Sequence, residues 1–271
     1  DEPTATSPSV VAPEGTVIVA ARPDAGVVTD PALRMAIEAS GLPWCVRHEA
    51  SGVELLLVPA GRFLRGASTD DPEATADERP QHAVDVKVPF YLGRHEVTQA
   101  QWARVMGDSP SFFAAAEGDP PQPVEQVPFF RAQEFARRAG LILPTESMWE
   151  YACGFGHAGP RHGALDEVAW HRGNARGRPH PVGEKLASPL GMHDMLGNVW
   201  EWTSSGFAAD EYERYSSPID ARGRVRGAPK VVLRGGSWFD PPKRARATAR
   251  YATEREFSAG HVGLRVALEV R

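Results

Sequence analysis

Cysteine is nearly absent from this sequence. The two residues of this type, Cys45 and Cys153, are too few for a disulfide framework, and the sequence leaves open whether they pair. Long hydrophobic runs are also missing, since no stretch approaches the roughly eighteen apolar residues that a membrane helix needs. There is no initiator methionine and no signal peptide, so we expect the sequence to begin inside a longer precursor. With the tether-like first residues, this favours a periplasmic or extracellular location.

Basic residues do not dominate the sequence as a whole. The formal net charge is −5, and no nucleic-acid-binding motif is present, which argues against a nucleic-acid partner. The charge is uneven, however: residues 222–271 hold twelve Lys or Arg against four acids, a net of +8, whereas the other 221 residues carry −13. The high content of glycine (26) and proline (24) favours a loop-rich α+β fold over a helical bundle.

Composition and periodicity divide the chain into three parts. Residues 1–29 mix Pro, Ala, Thr, Ser and Gly and predict a flexible linker, with one short strand at 16–20. Residues 30–51 predict a short helical addition, because Asp30 can cap a helix that begins at Pro31. Residues 52–271 predict the main domain.

Within the main domain, alternation and capping signals predict several short elements. Strands are expected at 53–58, 62–66, 84–91 and 262–270. Thr98 and Thr145 are placed to cap helices, and a third helix over 129–138 would bury Phe130 and end at Gly140. We expect Trp149 and Cys153 to lie in the core.

In the stretch from Gly191 to Thr203, two indoles flank one carboxylate, and a Gly-Asn pair precedes them. In an extended run, Trp200 and Trp202 point to one side and Glu201 to the other. A turn at Gly197 would bring Asp194 near Glu201, and two converging carboxylates are typical of a calcium site. The alternative is a turn between buried aromatic residues with both acids in solvent.

This stretch resembles a signature of the formylglycine-generating enzyme (sulfatase-modifying factor) family. Further motifs recur in the family's order, and together they span about residues 52–268. They are Glu96-Val97-Thr98, Pro123-Val124-Glu125, Leu143-Pro144-Thr145-Glu146, Leu233-Arg234-Gly235-Gly236-Ser237-Trp238 and Val262-Gly263-Leu264-Arg265-Val266. The resemblance implies an elaborated C-type-lectin-like α+β fold, with few short helices and a small twisted antiparallel sheet.

The resemblance also implies what this chain has lost. Copper-using members carry two cysteines after the Gly-Gly-Ser-Trp run, and thiolates suit Cu(I). Here Asp240 stands at the first cysteine position and Ala245 at the second. We therefore expect no copper, no catalytic residues and no oxidation of a target cysteine to formylglycine.

A structural calcium ion is a further implication of the resemblance. Carried over position by position, its ligands are the carboxylates of Asp194 and Glu201 and the carbonyl oxygens of Gly197 and Val199. The family's usual asparagine at the first position is replaced by Asp194, which adds negative charge and should strengthen binding.

The segment that lines the active site of the family's catalytic members is rich here in aromatic and basic residues, the types that dominate binding hot spots. We expect it to bind a protein or another anionic ligand. The candidate ligand-binding residues are Ser237, Trp238, Phe239, Asp240, Lys243, Arg244, Arg246, Arg250 and Tyr251. The alternative is that Arg244 and Arg246 pair with the acidic loop at 69–78 of the same chain.

Three functions remain open. The preferred one is a catalytically degenerate, calcium-stabilised binding or regulatory module. The second is an enzyme of different, non-copper chemistry on the same scaffold, such as a maturation or secondary-metabolism factor. The third is a ligand-binding variable protein of a diversity-generating retroelement. The oligomeric state is not indicated by the sequence.

Overall fold

The computed structural model describes residues 10–157, 159–212, 219–220 and 228–270. Among the basic residues counted above, Arg222, Arg224, Arg226 and Arg271 lie outside this set, as do the first nine residues of the predicted linker. The helices are α1 (Pro31–Ala39), α2 (Gln99–Met106), α3 (Phe129–Ala139), α4 (Glu146–Gly154) and α5 (Leu165–Val168). Short 3-10 turns lie at Ala76–Glu78 and Pro242–Arg244.

The strands are short and form four separate sheets. They are β1 (Thr16–Ala20), β2 (Cys45–His48), β3 (Glu54–Val58), β4 (Gly61–Arg65), β5 (His82–Val86), β6 (Phe90–Gly93), β7 (Ala169–Trp170), β8 (Leu196–Gly197), β9 (Trp200–Gly206), β10 (Ile219–Asp220), β11 (Lys230–Arg234), β12 (Arg250–Glu254), β13 (Val262–Leu264) and β14 (Ala267–Glu269). This mixed α+β architecture agrees with the predicted fold class.

The predicted helices form where their capping residues are. Asp30 accepts a hydrogen bond from the amide of Ala32, and Pro31 occupies the first helical position of α1. Thr98 caps α2, and Thr145 accepts from the amide of Met148 at the start of α4. These signals are local, and all three helices begin at the predicted residue.

The largest sheet joins the start and the end of the described chain. Its strand order is β1-β2-β3-β6-β14, with antiparallel neighbours throughout. β1 from the predicted linker and β2 from the predicted addition lie in the same sheet as β3. Main-chain pairing of this kind is not revealed by local composition.

A second sheet, of order β12-β11-β9-β13, holds the central sequence stretch. β9 lies between β11, to which it is antiparallel, and β13, to which it is parallel. Trp200 and Trp202 of β9 are buried, and the indole of Trp202 donates to the carbonyl oxygen of Val127. The remaining sheets are β10-β5-β4 and the parallel pair β7-β8.

Two predicted strands are each split in the structure. The strand expected at 84–91 becomes β5 and β6, which lie in different sheets, because Pro89 between them cannot donate a ladder hydrogen bond. The strand expected at 262–270 becomes β13 and β14, again in different sheets.

One predicted core residue was also wrong. Phe130 of α3 is 54% exposed, and its neighbour Phe129 is buried instead. Trp149 and Cys153 lie in the core as expected. Among the described helices, none combines the length and the apolar character needed to cross a membrane.

Candidate functional site

The candidate site is built on a sharp turn that follows β11. Gly235 and Gly236 have φ values of 102° and 82°, in the left-handed region that favours glycine. A Cβ atom on Gly236 would lie 2.7 Å from the carbonyl oxygen of Arg244, so the turn packs closely on the segment that follows it. The turn presents Ser237 and Asp240 to the indole of Trp200 in β9.

Asp240, at the first family cysteine position, is half-buried and held by two donors. The indole nitrogen of Trp200 donates to Asp240 Oδ2 at 2.7 Å, and the Ser237 hydroxyl donates to the same oxygen. Among the residues that the structure describes, none donates to Oδ1. The carboxylate is therefore fixed in position and keeps one oxygen available.

The Trp200 indole that binds this carboxylate belongs to a cluster of contacting aromatic rings, which we call the aromatic cup. Phe239 stacks on His261 at 5.2 Å between ring centroids, and Tyr251 lies 5.6 Å from Trp200. The full set is Trp200, Trp238, Phe239, Tyr251, Phe257 and His261. Except for the buried Trp200, these side chains are half-buried or exposed, so the cup opens to solvent.

His261 contributes a neutral ring rather than a charge to the cup. Burial lowers the pKa of His261, although the Asp240 carboxylate acts in the opposite direction. Asp240 is therefore the acid of the cup, and the guanidinium of Arg172 lies 5.5 Å from the centre of the Phe239 ring. An acid beside aromatic rings is an arrangement that attracts cations.

Two of the predicted ligand-binding arginines are not available to a ligand. Arg246 is 1% exposed and binds Glu78 through two hydrogen bonds of 2.8 Å and Asp71 through one of 2.9 Å. This is the pairing with the acidic loop at 69–78 that the sequence left as an alternative, and it is confirmed for Arg246. It does not include Arg244, which is half-buried and donates to the carbonyl oxygen of Arg250 at 3.3 Å.

Arg250, also predicted to bind a ligand, lies in a buried ionic network. It donates to both carboxylate oxygens of Glu146, at 2.7 and 2.9 Å, and to Glu211 at 3.0 Å. The other members of this network are Arg65, Arg234 and Glu150. Because three guanidinium groups face three carboxylates inside the protein, much of the local basic excess is neutralised within the chain.

The remaining predicted residues divide between surface and core. Trp238, Phe239, Asp240, Lys243, Arg244 and Tyr251 are half-buried or exposed, whereas Ser237 is buried. Ser237 positions Asp240 instead of facing solvent. Sequence reasoning missed three members of the cup, Trp200, Phe257 and His261. No sequence signal links Phe257 or His261 to Asp240, because they lie about twenty residues further along the chain.

The predicted calcium ligand Glu201 is occupied by protein groups. Arg265 donates to both of its carboxylate oxygens, with a shortest distance of 2.6 Å, and the Trp149 indole donates to Oε2, also at 2.6 Å. All three residues are buried. An arginine already neutralises this carboxylate, so Glu201 does not fit the role of a calcium ligand in this arrangement.

Asp194 behaves differently, and it has a neighbour that the calcium prediction omitted. Asp194 Oδ2 accepts a hydrogen bond from the amide of Gly183 at 2.6 Å, but its buried Oδ1 has no partner in the described structure. The neighbouring Glu96 is fully buried, and both of its carboxylate oxygens also lack a partner there. Burial raises the pKa of Asp194 to about 6, and burial and the Asp194 charge raise that of Glu96. Buried carboxylates without donors require a proton or a cation.

These two acids therefore fit a cation, while Glu201 does not. Gly197, another predicted ligand, is essential to the local backbone: its φ is +82°, and a Cβ atom there would lie 2.1 Å from the carbonyl oxygen of Trp170. Within the described ranges, no three His, Cys, Asp or Glu side chains form a metal-binding group. The predicted set has two carboxylates, and its other two ligands are the carbonyl oxygens of Gly197 and Val199.

Neither cysteine can replace the missing copper ligands. Cys45 and Cys153 are unpaired and buried. Burial raises the pKa of Cys45 to about 11 and raises that of Cys153 even more. Both thiols are therefore protonated at neutral pH, and the thiolate is the form that binds metal.

A cavity of about 570 Å³ opens elsewhere, between the segment before β1 and strand β14. Its lining includes Pro13, Leu141, Ile142 and Leu268. His48, which also lines it, shares a hydrogen bond of 2.9 Å with Ser51. The lining is largely apolar and contains no arrangement comparable to the carboxylate of Asp240 among aromatic rings.

Comparisons with known proteins identify the family of the chain. Residues 45–270 match the family described as sulfatase-modifying factor enzyme 1-like domain. The chain is 36% identical over 256 residues to hercynine oxygenase of Mycolicibacterium smegmatis, an alignment that covers 75% of this chain and 58% of that protein. It is 35% identical over 277 residues to the formylglycine-generating enzyme of Streptomyces coelicolor, covering 78% and 87%.

Solved structures show the same fold. PvdO from Pseudomonas aeruginosa superposes with a TM-score of 0.71 at 25% identity, covering 81% of this chain and 95% of that one. Treponema denticola variable protein 1 gives a TM-score of 0.71 at 22% identity, covering 80% and 95%. The chain spans about half the length of the hercynine oxygenases it matches.

Proposed function

Because the chain belongs to the sulfatase-modifying factor enzyme 1-like family, we propose that it is a copper-independent ligand-binding domain of that family. In this proposal the aromatic cup binds a positively charged amine group of its ligand. The observation that carries the proposal is the carboxylate of Asp240, whose Oδ2 is held by Trp200 of the aromatic cup and by Ser237 while Oδ1 stays free.

The chemistry of the cup favours a cation over an anion. Aromatic faces attract alkylated ammonium groups, and a half-buried carboxylate adds a direct charge interaction. An anionic group in the cup would meet the carboxylate of Asp240. Of the basic residues expected to bind an anionic ligand, Arg246 and Arg250 are engaged inside the protein.

The relatives support a ligand of this class. Hercynine oxygenases of three mycobacterial species are 33–36% identical to this chain. The compound in their name, hercynine, is a betaine with a trimethylammonium group. Such a group is large, weakly hydrated and permanently charged, so it suits an aromatic cup better than a primary amine does.

The experiment is a binding titration with hercynine, choline and tetramethylammonium, followed by tryptophan fluorescence and calorimetry. We expect saturable binding, and we expect Asp240→Asn to weaken it roughly ten- to a hundredfold, since a charged contact contributes about 1.5–3 kcal/mol. Lys243→Ala is the matched control, because Lys243 is an exposed cation in the same segment. An acidic peptide serves as the opposite probe.

Two results would overturn the proposal. One is the absence of binding to all three cations. The other is binding of the acidic peptide that depends on Lys243 and Arg244 and is unaffected by Asp240→Asn. That second result would restore the anionic partner expected from the sequence.

A second candidate function is an enzyme, and the hercynine oxygenase similarity favours it. In that case the cup would hold the substrate of a non-copper oxygenase, and the chemistry would require groups beyond those of the cup. Oxygen consumption by the purified protein with hercynine and ferrous iron tests this. Consumption that is lost in Asp240→Asn supports it, and none above the protein-free rate contradicts it.

A further inference from the structure

The cavity between the segment before β1 and strand β14 contains one buried polar side chain, that of His48. Its volume of about 570 Å³ lies within the range typical of small-molecule sites, roughly 300–1,000 Å³. Residues 11–15, 140–142 and 267–270 form most of its lining, and Leu42 and His48 complete it. Such sites combine an apolar surface with a few placed polar groups, so the orientation of His48 determines which ligand the cavity fits.

Hydrogen bonds with Ser51 fix the ring of His48 and its tautomer. The Ser51 amide donates to Nδ1 at 3.3 Å, and the Ser51 hydroxyl lies 2.9 Å from the same nitrogen. Because an amide N–H only donates, Nδ1 carries the lone pair. Burial lowers the pKa of His48, although the charge of Glu49 acts in the opposite direction. The ring is therefore neutral at pH 7, with its proton on Nε2.

The Nε2–H group of His48 is open to the cavity, although the residue is only 6% exposed. The described part of the chain offers this group no acceptor, and Nε2 is not one of the polar atoms that are sealed in without a partner. A Cβ atom on Gly15, which also lines the cavity, would have Nε2 as its nearest neighbour, at 3.9 Å. Glycine at this position thus leaves space beside the donor for a hydrogen-bond acceptor of a ligand.

The charged residues of the lining determine the class of that ligand. Glu14 and Glu269 contribute to it, whereas none of the described lining residues is a lysine or an arginine. A carboxylate ligand would therefore meet like charges without a cation to pair with. An ammonium group has no acceptor for the Nε2–H of His48. An uncharged carbonyl group avoids both problems, and an aliphatic chain attached to it would bury its surface against the apolar lining.

We propose that this cavity is a second ligand site, which binds an uncharged aliphatic carbonyl compound such as a fatty amide. The carbonyl oxygen accepts from the Nε2–H of His48, and the chain packs on Leu42, Leu141 and Leu268. The site shares no residue with the aromatic cup. Its occupancy is therefore independent of the function proposed for the cup, and either proposal can fail alone.

The test is a titration of the whole chain with octanamide, followed by NMR of labelled leucine, isoleucine and valine methyl groups. We expect saturable shifts of the methyl groups of Leu42, Leu141 and Leu268, with NOE contacts to the probe. His48→Phe keeps a ring but removes the donor, so it should weaken binding roughly two- to tenfold. Octanoate and octylammonium, which have the same chain length, should bind more weakly than octanamide.

A second variant keeps the test decisive if His48→Phe fails to fold. Ala12→Trp places a large side chain in the half-buried segment that lines the cavity, so it should abolish the octanamide shifts. Ala36→Trp, at an exposed position of α1, is the matched control and should leave them unchanged. Circular dichroism verifies the folding of each variant.

Three results would overturn the proposal. One is the absence of octanamide shifts at the lining methyl groups. Another is octanamide binding that is unaffected by Ala12→Trp or by a folded His48→Phe variant. The third is tighter binding of octanoate or octylammonium than of octanamide at this site, which would show that the ligand is charged.

Discussion

Arg246 and Glu78 are joined by two hydrogen bonds of 2.8 Å, although 168 residues separate them in the sequence. Both side chains are buried. Although burial alone would raise it, the pKa of Glu78 is held below its usual value by the hydrogen bonds and charge of Arg246 and by the hydroxyl of Thr248. The pair fixes the acidic loop onto the segment between the cup residues Phe239 and Tyr251.

Arg246→Ala should therefore destabilise the protein strongly, by about 3–5 kcal/mol, because it leaves a buried carboxylate without its partner. Arg244→Ala is the matched control two residues away and should change the free energy of unfolding by about 0.5 kcal/mol or less. Urea unfolding of the two variants measures the difference. Equal stability of the two would show that Arg246 does not hold the loop.

Acid should destabilise the protein through the network around Glu146. Burial opposes ionisation of Glu146, but the charges of Arg250, Arg65 and Arg234 outweigh it and lower the pKa from 4.5 to about 2. A lowered folded-state pKa gives stability that is present above pH 4.5 and lost as the pH falls towards 2, on the order of 3 kcal/mol. The Glu146→Gln variant should be less stable than the unmodified protein at pH 7, and its free energy of unfolding should decrease less on acidification. Unfolding curves at several pH values in this range test both statements.

Calcium should stabilise the protein more at pH 8 than at pH 5. Asp194 has a pKa of about 6 without a cation, so protons compete with the metal below that value. Without calcium, the pH dependence of stability has the opposite sign. Because the pKa of Asp194 is higher in the folded protein, protonated Asp194 contributes stability that is fully present below the unfolded pKa of 3.8 and is lost as the pH rises through 6.

Thermal unfolding with calcium and with a chelator, at both pH values, measures this effect. Asp194→Asn keeps an oxygen ligand but loses the charge, so it should show a smaller calcium response. Unchanged melting at pH 8, together with no bound metal in elemental analysis, would contradict the calcium prediction. In that case Asp194 and Glu96 would have to be satisfied by protons.

The protein should neither bind Cu(I) tightly nor convert a Cys-x-Pro-x-Arg peptide to formylglycine. Asp240 and Ala245 stand at the cysteine positions, and both existing thiols are buried and protonated. For the same reason, a thiol reagent should modify Cys45 and Cys153 only after unfolding. Mass spectrometry measures both the conversion of the peptide and the labelling of the two cysteines. An aldehyde product, or rapid labelling of the folded protein, would show that a reactive thiol is present.

The sequence predicted best what depends on neighbours in the chain. The caps at Asp30, Thr98 and Thr145 place three helices, because each cap needs only the residues that follow it. The family motifs predicted the fold because they are local sequence patterns that mark its turns and close contacts. Asp240 and four of the aromatic-cup residues lie in or beside one of those motifs.

What the sequence could not provide is pairing at long range. Arg246 and Arg250 are ordinary basic residues in a basic segment, and only the fold brings Glu78 and Glu146 against them. Glu201 satisfies the pattern of a calcium ligand, yet Arg265 from the far end of the chain takes both of its oxygens. Segments that are distant in sequence bury and pair these charged residues, and this determines which charged residues remain available to a ligand.

The position of the last strands has a consequence for how this chain is made. β13 and β14 complete two different sheets, and Arg265 between them neutralises Glu201 in the core. Arg234 and Arg250, which balance Glu146 and Glu150, also lie in the last forty residues. While these residues are still inside the ribosome, the emerged part of the chain holds acids without their partners and sheets without their closing strands. The domain can therefore fold only after its synthesis is almost finished, as expected for a fold whose contacts are mostly distant in sequence.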